Sequence, residues 1–138
     1  MLHAMKILIF FILSCLPVLG ADSGIQVVST AKTNAETGSI TTMDVYTLNG
    51  QTNLVRRTTT KAGIVKVRVH EFYHAGQRVG SFFVMQDSSG LTTQPDIPYF
   101  VNFDFDASKN VKEAAISTKD GMVLDVFACT NGVFSPVK

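Results

Sequence analysis

The stretch Ile64-Val65-Lys66-Val67-Arg68-Val69-His70-Glu71-Phe72-Tyr73-His74 decides how this chain folds. Val65, Val67 and Val69 alternate with Lys66, Arg68 and His70. A period of two is the mark of a strand with one face buried and one in water. Valine is also stiff at χ1 and fits a pleated surface better than a helical one. Gly76 follows His74 by two residues, so a helix here would begin without a capping residue, inside a β-branched run, and stop almost at once. Continued to its end, the alternation places His70 and His74 on the water-facing side of a strand end.

The last five residues, His70-Glu71-Phe72-Tyr73-His74, also fit H-E-x-x-H, which resembles the zinc-binding signature of the zincin metallopeptidases. The resemblance implies that both histidines bind zinc and that Glu71 activates the metal-bound water. That chemistry needs a helix, in which residues four apart stand about 6 Å from each other at Cβ. In a strand the same two residues share a face but lie roughly 13 Å apart, too far to hold one ion together. The elongated form of the signature needs glycine where Gln77 stands, and a downstream glutamate ligand could come from Glu113 only if Ala107 to Ser117 were helical. The strand is therefore preferred, and the zinc-dependent peptidase stands as the alternative.

Working outward, Gly38, Gly50, Gly63, Gly76 and Gly90 recur every twelve to fourteen residues, a spacing that suits short strands joined by tight turns. Of the 118 residues after Gly20, 34 are Val, Thr or Ile. Strands are expected at Thr41–Leu48, Asn53–Thr60, Ile64–Tyr73 and Arg78–Gln86. A polar loop from Asp87 to Pro98 suits a crossing between two sheets. Further strands follow through Val101, Phe103 and Phe105, then at Val111–Thr118, Met122–Thr130 and Val133–Pro136. Ala107–Ser117 is the one segment that competes as a helix, with Ser108 as its cap. The expected fold is all-β: an antiparallel up-and-down meander of about seven to eight short strands forming a small sandwich or open barrel. Residues 40–138 make this single domain, and 21–39 form a polar linker with room for one short strand at Ile25–Thr30.

Residues 1–20 read as a signal peptide: Lys6, the apolar run Ile7–Leu13, and small residues before Ala21. The chain is thus expected to be secreted or periplasmic. Ile12-Leu13-Ser14-Cys15 loosely resembles a lipobox, which makes a lipid anchor at Cys15 the minor alternative. Without the leader, eleven Lys and Arg balance eleven Asp and Glu. A neutral chain without a basic run has no long-range attraction to nucleic acid, and no apolar segment of the mature chain is long enough to span a membrane as a helix. Cys129 is left without a partner and reads as a small apolar residue on a strand. An outer-membrane barrel is disfavoured, because the chain has no Trp and no aromatic girdles.

Two other features carry chemistry. Asp104, Asp106, Ser108 and Asn110 resemble the start of a calcium loop, but Lys109 replaces the glycine of the sharp turn and Ala115 the closing glutamate, so a hairpin turn is preferred. The adjacent Arg56-Arg57 pair must face opposite sides of a strand, which marks either an edge strand or an anion-binding concavity; the edge is preferred. No catalytic, cofactor-binding or metal-binding residue is assigned on this basis. The favoured function is a non-enzymatic exported module that binds a protein or small-molecule partner or serves a structural role. A small apolar-ligand carrier, lined by Phe82, Val84, Phe103 and Phe105, is a further alternative.

Overall fold

The structure is a computed structural model that describes residues 14–16, 24–85, 88–94 and 96–137. The leader peptide expected over residues 1–20, with its expected cut before Ala21, lies outside the described residues except for 14–16. The elements are β1 (Ser14–Leu16), β2 (Ile25–Thr33), β3 (Ile40–Leu48), β4 (Gln51–Lys61), β5 (Ile64–His74), β6 (Gln77–Met85), β7 (Ser88–Thr93), β8 (Tyr99–Phe105), β9 (Val111–Thr118), β10 (Val123–Thr130) and β11 (Val133–Val137). Every described element is a strand, every pairing is antiparallel, and within each sheet strands pair with their neighbours in sequence. Strands β2 to β7 form one sheet, with the three-residue β1 paired along the outer edge of β2, and β8 to β11 form the other.

The all-β meander is thus correct, but the described residues hold ten strands of five residues or more where seven to eight were expected. Strand β2 lengthens the short strand allowed for at Ile25–Thr30, and β7 is new. The segment expected to be largely linker holds the nine-residue β2, which pairs with β3 from Ile25↔Leu48 to Thr33↔Ile40. Strand β7 lies inside the expected loop, where Gly90 reads as a turn. Gly90 is instead a strand residue, and a Cβ on it would overlap the ring of Phe83, which lies across it from β6. The segment that competed as a helix is strand β9.

Tight turns explain the meander. Asn49-Gly50, Ala62-Gly63, Ala75-Gly76 and Asn131-Gly132 each place two successive residues at positive φ, the backbone of the two-residue hairpin that matches the twist of its strands. The chain passes from the first sheet to the second between Thr93 and Tyr99. The sheets then stack face to face. Leu54, Phe72, Val79 and Phe82 from the first meet Val101, Ala114, Ile116, Phe127 and Phe134 from the second in one core. Phe72, Phe127 and Phe134 are fully buried and meet edge to face, with ring centroids 5.0 and 5.2 Å from Phe72. No helix among the described residues is long and apolar enough to cross a membrane.

Candidate functional site

Strand β5 runs through the middle of the first sheet, so side-chain parity along it sorts its residues between two environments. Phe72 faces the second sheet, and Arg68, His70 and His74 share that face. Val67, Val69, Glu71 and Tyr73 point to the other side, and a bulge at Lys66 ends this parity before Val65. The expected orientation of this segment is therefore reversed. His70, placed on a wet face by the valine alternation, is fully buried, whereas Val67 and Val69 are only half-buried. The largest apolar side chain wins the interior: Phe72 must be buried, and every second residue before it follows as far back as Arg68, beyond which the bulge at Lys66 breaks the alternation.

This parity also takes the H-E-x-x-H constellation apart. His70 Nε2 accepts a hydrogen bond from the backbone N–H of Phe134 at 3.1 Å, and the two rings meet edge to face at 5.0 Å. His74 Nδ1 lies 2.9 Å from Asp125 Oδ2, and its ring packs on Tyr99 at 4.7 Å. Glu71 is on the opposite face, paired with Arg57 and accepting from the Tyr73 hydroxyl at 2.8 Å. Burial, and then the bond to Glu71, raise the pKa of that hydroxyl. Zinc does not fit these residues: the imidazoles stand four strand positions apart, and the would-be water-activating carboxylate lies across the sheet from them.

The Arg56-Arg57 pair reveals a second inner-face feature. Strand β4 pairs with β3 on one side and β5 on the other, so it is interior to its sheet and the expected edge role does not hold. Arg57 goes to the outer face and Arg56 goes between the sheets. The Arg56 guanidinium donates to Asp44 Oδ2 from Nε at 3.1 Å and from Nη2 at 2.9 Å. It also donates to the Tyr46 hydroxyl at 2.7 Å and to the Phe134 carbonyl at 3.4 Å. Ser29 Oγ donates to the other Asp44 oxygen at 2.6 Å. Burial pushes the Tyr46 phenol up in pKa, opposed by the charge of Arg56. His70 is held near pKa 3 by burial first and then by the charges of Arg56 and Arg68, so it is a neutral imidazole at physiological pH. Burial and the neighbouring Arg56 also lower the pKa of Arg68.

Asp44 is thus the carboxylate that compensates Arg56, with side-chain exposures of 16% for the arginine and 13% for the aspartate. Substituting Asp44→Ala is expected to destabilise the domain by about 2 kcal/mol, between the values for exposed and fully buried pairs, because it leaves Arg56 desolvated without its partner. Urea unfolding checks this. The double variant Asp44→Leu/Arg56→Met is expected to recover most of the loss, and a single variant as stable as the wild type would show that the pair is solvated.

The calcium-like segment is a turn. Asp106 Oδ1 accepts from the backbone N–H groups of Ser108 and Asn110, each at 2.9 Å, and Asp104 pairs with Lys112 across the hairpin at 3.1 Å. Beside this hairpin, where the sheets part along β7, a half-open cleft of about 770 Å³ lies between them. Its apolar lining comes from Phe82, Val84 and Leu91 of the first sheet and from Phe105, Val111 and Cys129 of the second side, with Asn131 and Gly132 at one end and Lys109 and Lys112 at the rim. Of the four residues named for an apolar-ligand site, Phe82, Val84 and Phe105 line this cleft, while Phe103 packs in the core against Phe72 and Phe134. Cys129 is free and half-buried, and burial raises its thiol pKa, so it serves here as apolar wall. Sequence reasoning missed Asp44, Tyr46 and Arg68 as members of one inner-face row, since their meeting depends on strand register. No family model matches the chain, and no curated protein or solved structure matches it.

Proposed function

We propose that this chain is an exported, non-enzymatic binding module, and that the cleft between its two sheets takes a small apolar ligand. The supporting observation is the cleft itself, about 770 Å³ in volume and walled by Phe82, Val84, Leu91, Phe105, Val111 and Cys129. Ligand pockets in proteins have volumes of roughly 300–1,000 Å³, are mostly apolar and carry a few polar groups that orient the ligand. Leu91 and Phe105 remain 44% and 50% exposed at the mouth, apolar surface that a bound molecule would cover. Export rests on the leader-like segment Met1–Gly20, with the mature chain starting at Ala21.

The test is an amide NMR titration of the exported product, its start verified by intact mass, with 1-decanol as the probe. Saturable shifts confined to Gly90, Leu91, Phe105, Val111 and Gly132 are expected. An absence of shifts, or shifts centred on the outer face around Val67 and Met85, would overturn the cleft as the binding place.

A further inference from the structure

With the leader strand β1 set aside, the edges among the described residues are β2 and β7 in the first sheet and β8 and β11 in the second. An edge strand offers a row of unpaired N–H and C=O groups, so proteins shorten, charge, bend or cover their edges. Strand β7 has six residues, and β11 has five with Pro136 among them. Strand β8 lies against β6 of the first sheet and carries Asp104. Strand β2 has none of these devices. It runs for nine residues without proline, pairs with β3 from Ile25↔Leu48 to Thr33↔Ile40 without a bulge, and holds one charge, Lys32.

The chain itself seats a strand on this edge. Ser14–Leu16 pairs antiparallel with Val27, Val28 and Ser29 on the side of β2 away from β3. Those three residues of β1 belong to the leader, and among the described residues no other strand pairs along that side. Val28 is also the open end of a cross-strand row of valines on the outer face, Val28, Val45 and Val55. Val55 is buried, whereas Val28 is 38% exposed.

We propose that the β2 edge of the exported chain joins a second copy of the same chain, β2 to β2, as an antiparallel pair about a two-fold axis at Ser29. This rests on removal of the leader, as in the export reading above, which leaves the edge open. Antiparallel pairing of a strand with itself closes after two copies, and each copy covers the other's unblunted edge. With Ser29 on the axis, Gln26 stands opposite the partner's Lys32, so no charge meets its like. Val28 stands opposite the partner's Thr30 on the outer face, a β-branched pair that carries the row of valines across the interface.

The experiment is analytical ultracentrifugation of the exported product, its start at Ala21 verified by intact mass, beside the double variants Val28→Lys/Thr30→Lys and Val28→Lys/Thr30→Glu. The wild type is expected to sediment as a dimer. Position 28 of each copy faces position 30 of the other, so the first variant sets like charges together and is expected to dimerise about tenfold or more weakly than the wild type. The second variant sets opposite charges together and is expected to regain most of that loss. The two variants differ only at position 30, so an effect of Val28→Lys on folding would touch both alike. A product that starts at Ala21 and stays monomeric at its highest soluble concentration would overturn the pairing and leave the export reading intact. A product that keeps Ser14–Leu16 would overturn the export reading and, with the edge already covered, the pairing as well. A dimer equally stable in both variants would place the contact elsewhere and overturn the proposal.

Discussion

Substituting Phe72→Ala is expected to destabilise the domain by about 3–5 kcal/mol, the range for truncating a buried phenylalanine. Phe72 is fully buried and meets Phe103, Phe127 and Phe134 of the second sheet at 5.9, 5.0 and 5.2 Å. The space it leaves is poorly placed to close. Its cross-strand neighbour in β6 is Gly80, which has no side chain to move in. The backbone there is itself confined, because a Cβ on Gly80 would come within 2.7 Å of the Thr92 carbonyl oxygen. Phe83→Ala, on the outer face of the same sheet, is the matched control and should cost under about 2 kcal/mol, because its ring is half-exposed and lies on a glycine. Urea unfolding of both variants checks the pair. Equal losses would mean that the two sheets do not meet over Phe72.

The second large effect is a dependence of stability on pH that belongs to one residue. His70 has its pKa lowered to about 3 in the folded chain by burial and by the charges of Arg56 and Arg68. In the unfolded chain it titrates at its ordinary value of about 6.5. Between those values the unfolded state binds a proton that the folded state refuses, so stability contributed by the neutral ring is fully present above about 6.5 and is lost as pH falls towards 3. From pH 7.5 to pH 5 that loss is about 2 kcal/mol, since one and a half units of pH lie below the unfolded value. The variant His70→Gln keeps an oxygen to accept the Phe134 N–H but has no proton to gain. Its stability should therefore fall less over the same window, by about that amount. Parallel pH profiles for the wild type and His70→Gln would show that the ring is accessible to water in the folded chain.

What the amino-acid sequence determined by itself was local. β-Branched residues and alternation made strands of Ile40–Leu48, Gln51–Lys61, Ile64–His74 and their successors, and pairs such as Asn49-Gly50 and Asn131-Gly132 closed hairpins between them. These effects act over a few residues and need no knowledge of the rest of the chain. Strand β2 was legible only over Ile25–Thr30, and β7 was not, because Gly90 reads as a turn and the serines before it suit a loop. Their extended form comes from a neighbouring strand's unpaired backbone more than from their own side chains.

Which face of each strand is inside, and which residues meet, was left to the tertiary structure. Counting back from the Asn49-Gly50 turn would set Arg56 opposite Met43, but an extra residue bulges from β4 between the partners of Tyr46 and Thr47 and moves the register by one. That shift alone brings Asp44 opposite Arg56 and makes the buried pair. Along β5 the valines advertise the wrong interior, because a period of two carries no sign. The second sheet supplies the sign by burying Phe72 against Phe127 and Phe134, and the same parity carries His70 and Arg68 inward and Glu71 outward. Burial is a property of two surfaces meeting, and neither the place nor the partner of that meeting is written in any one strand.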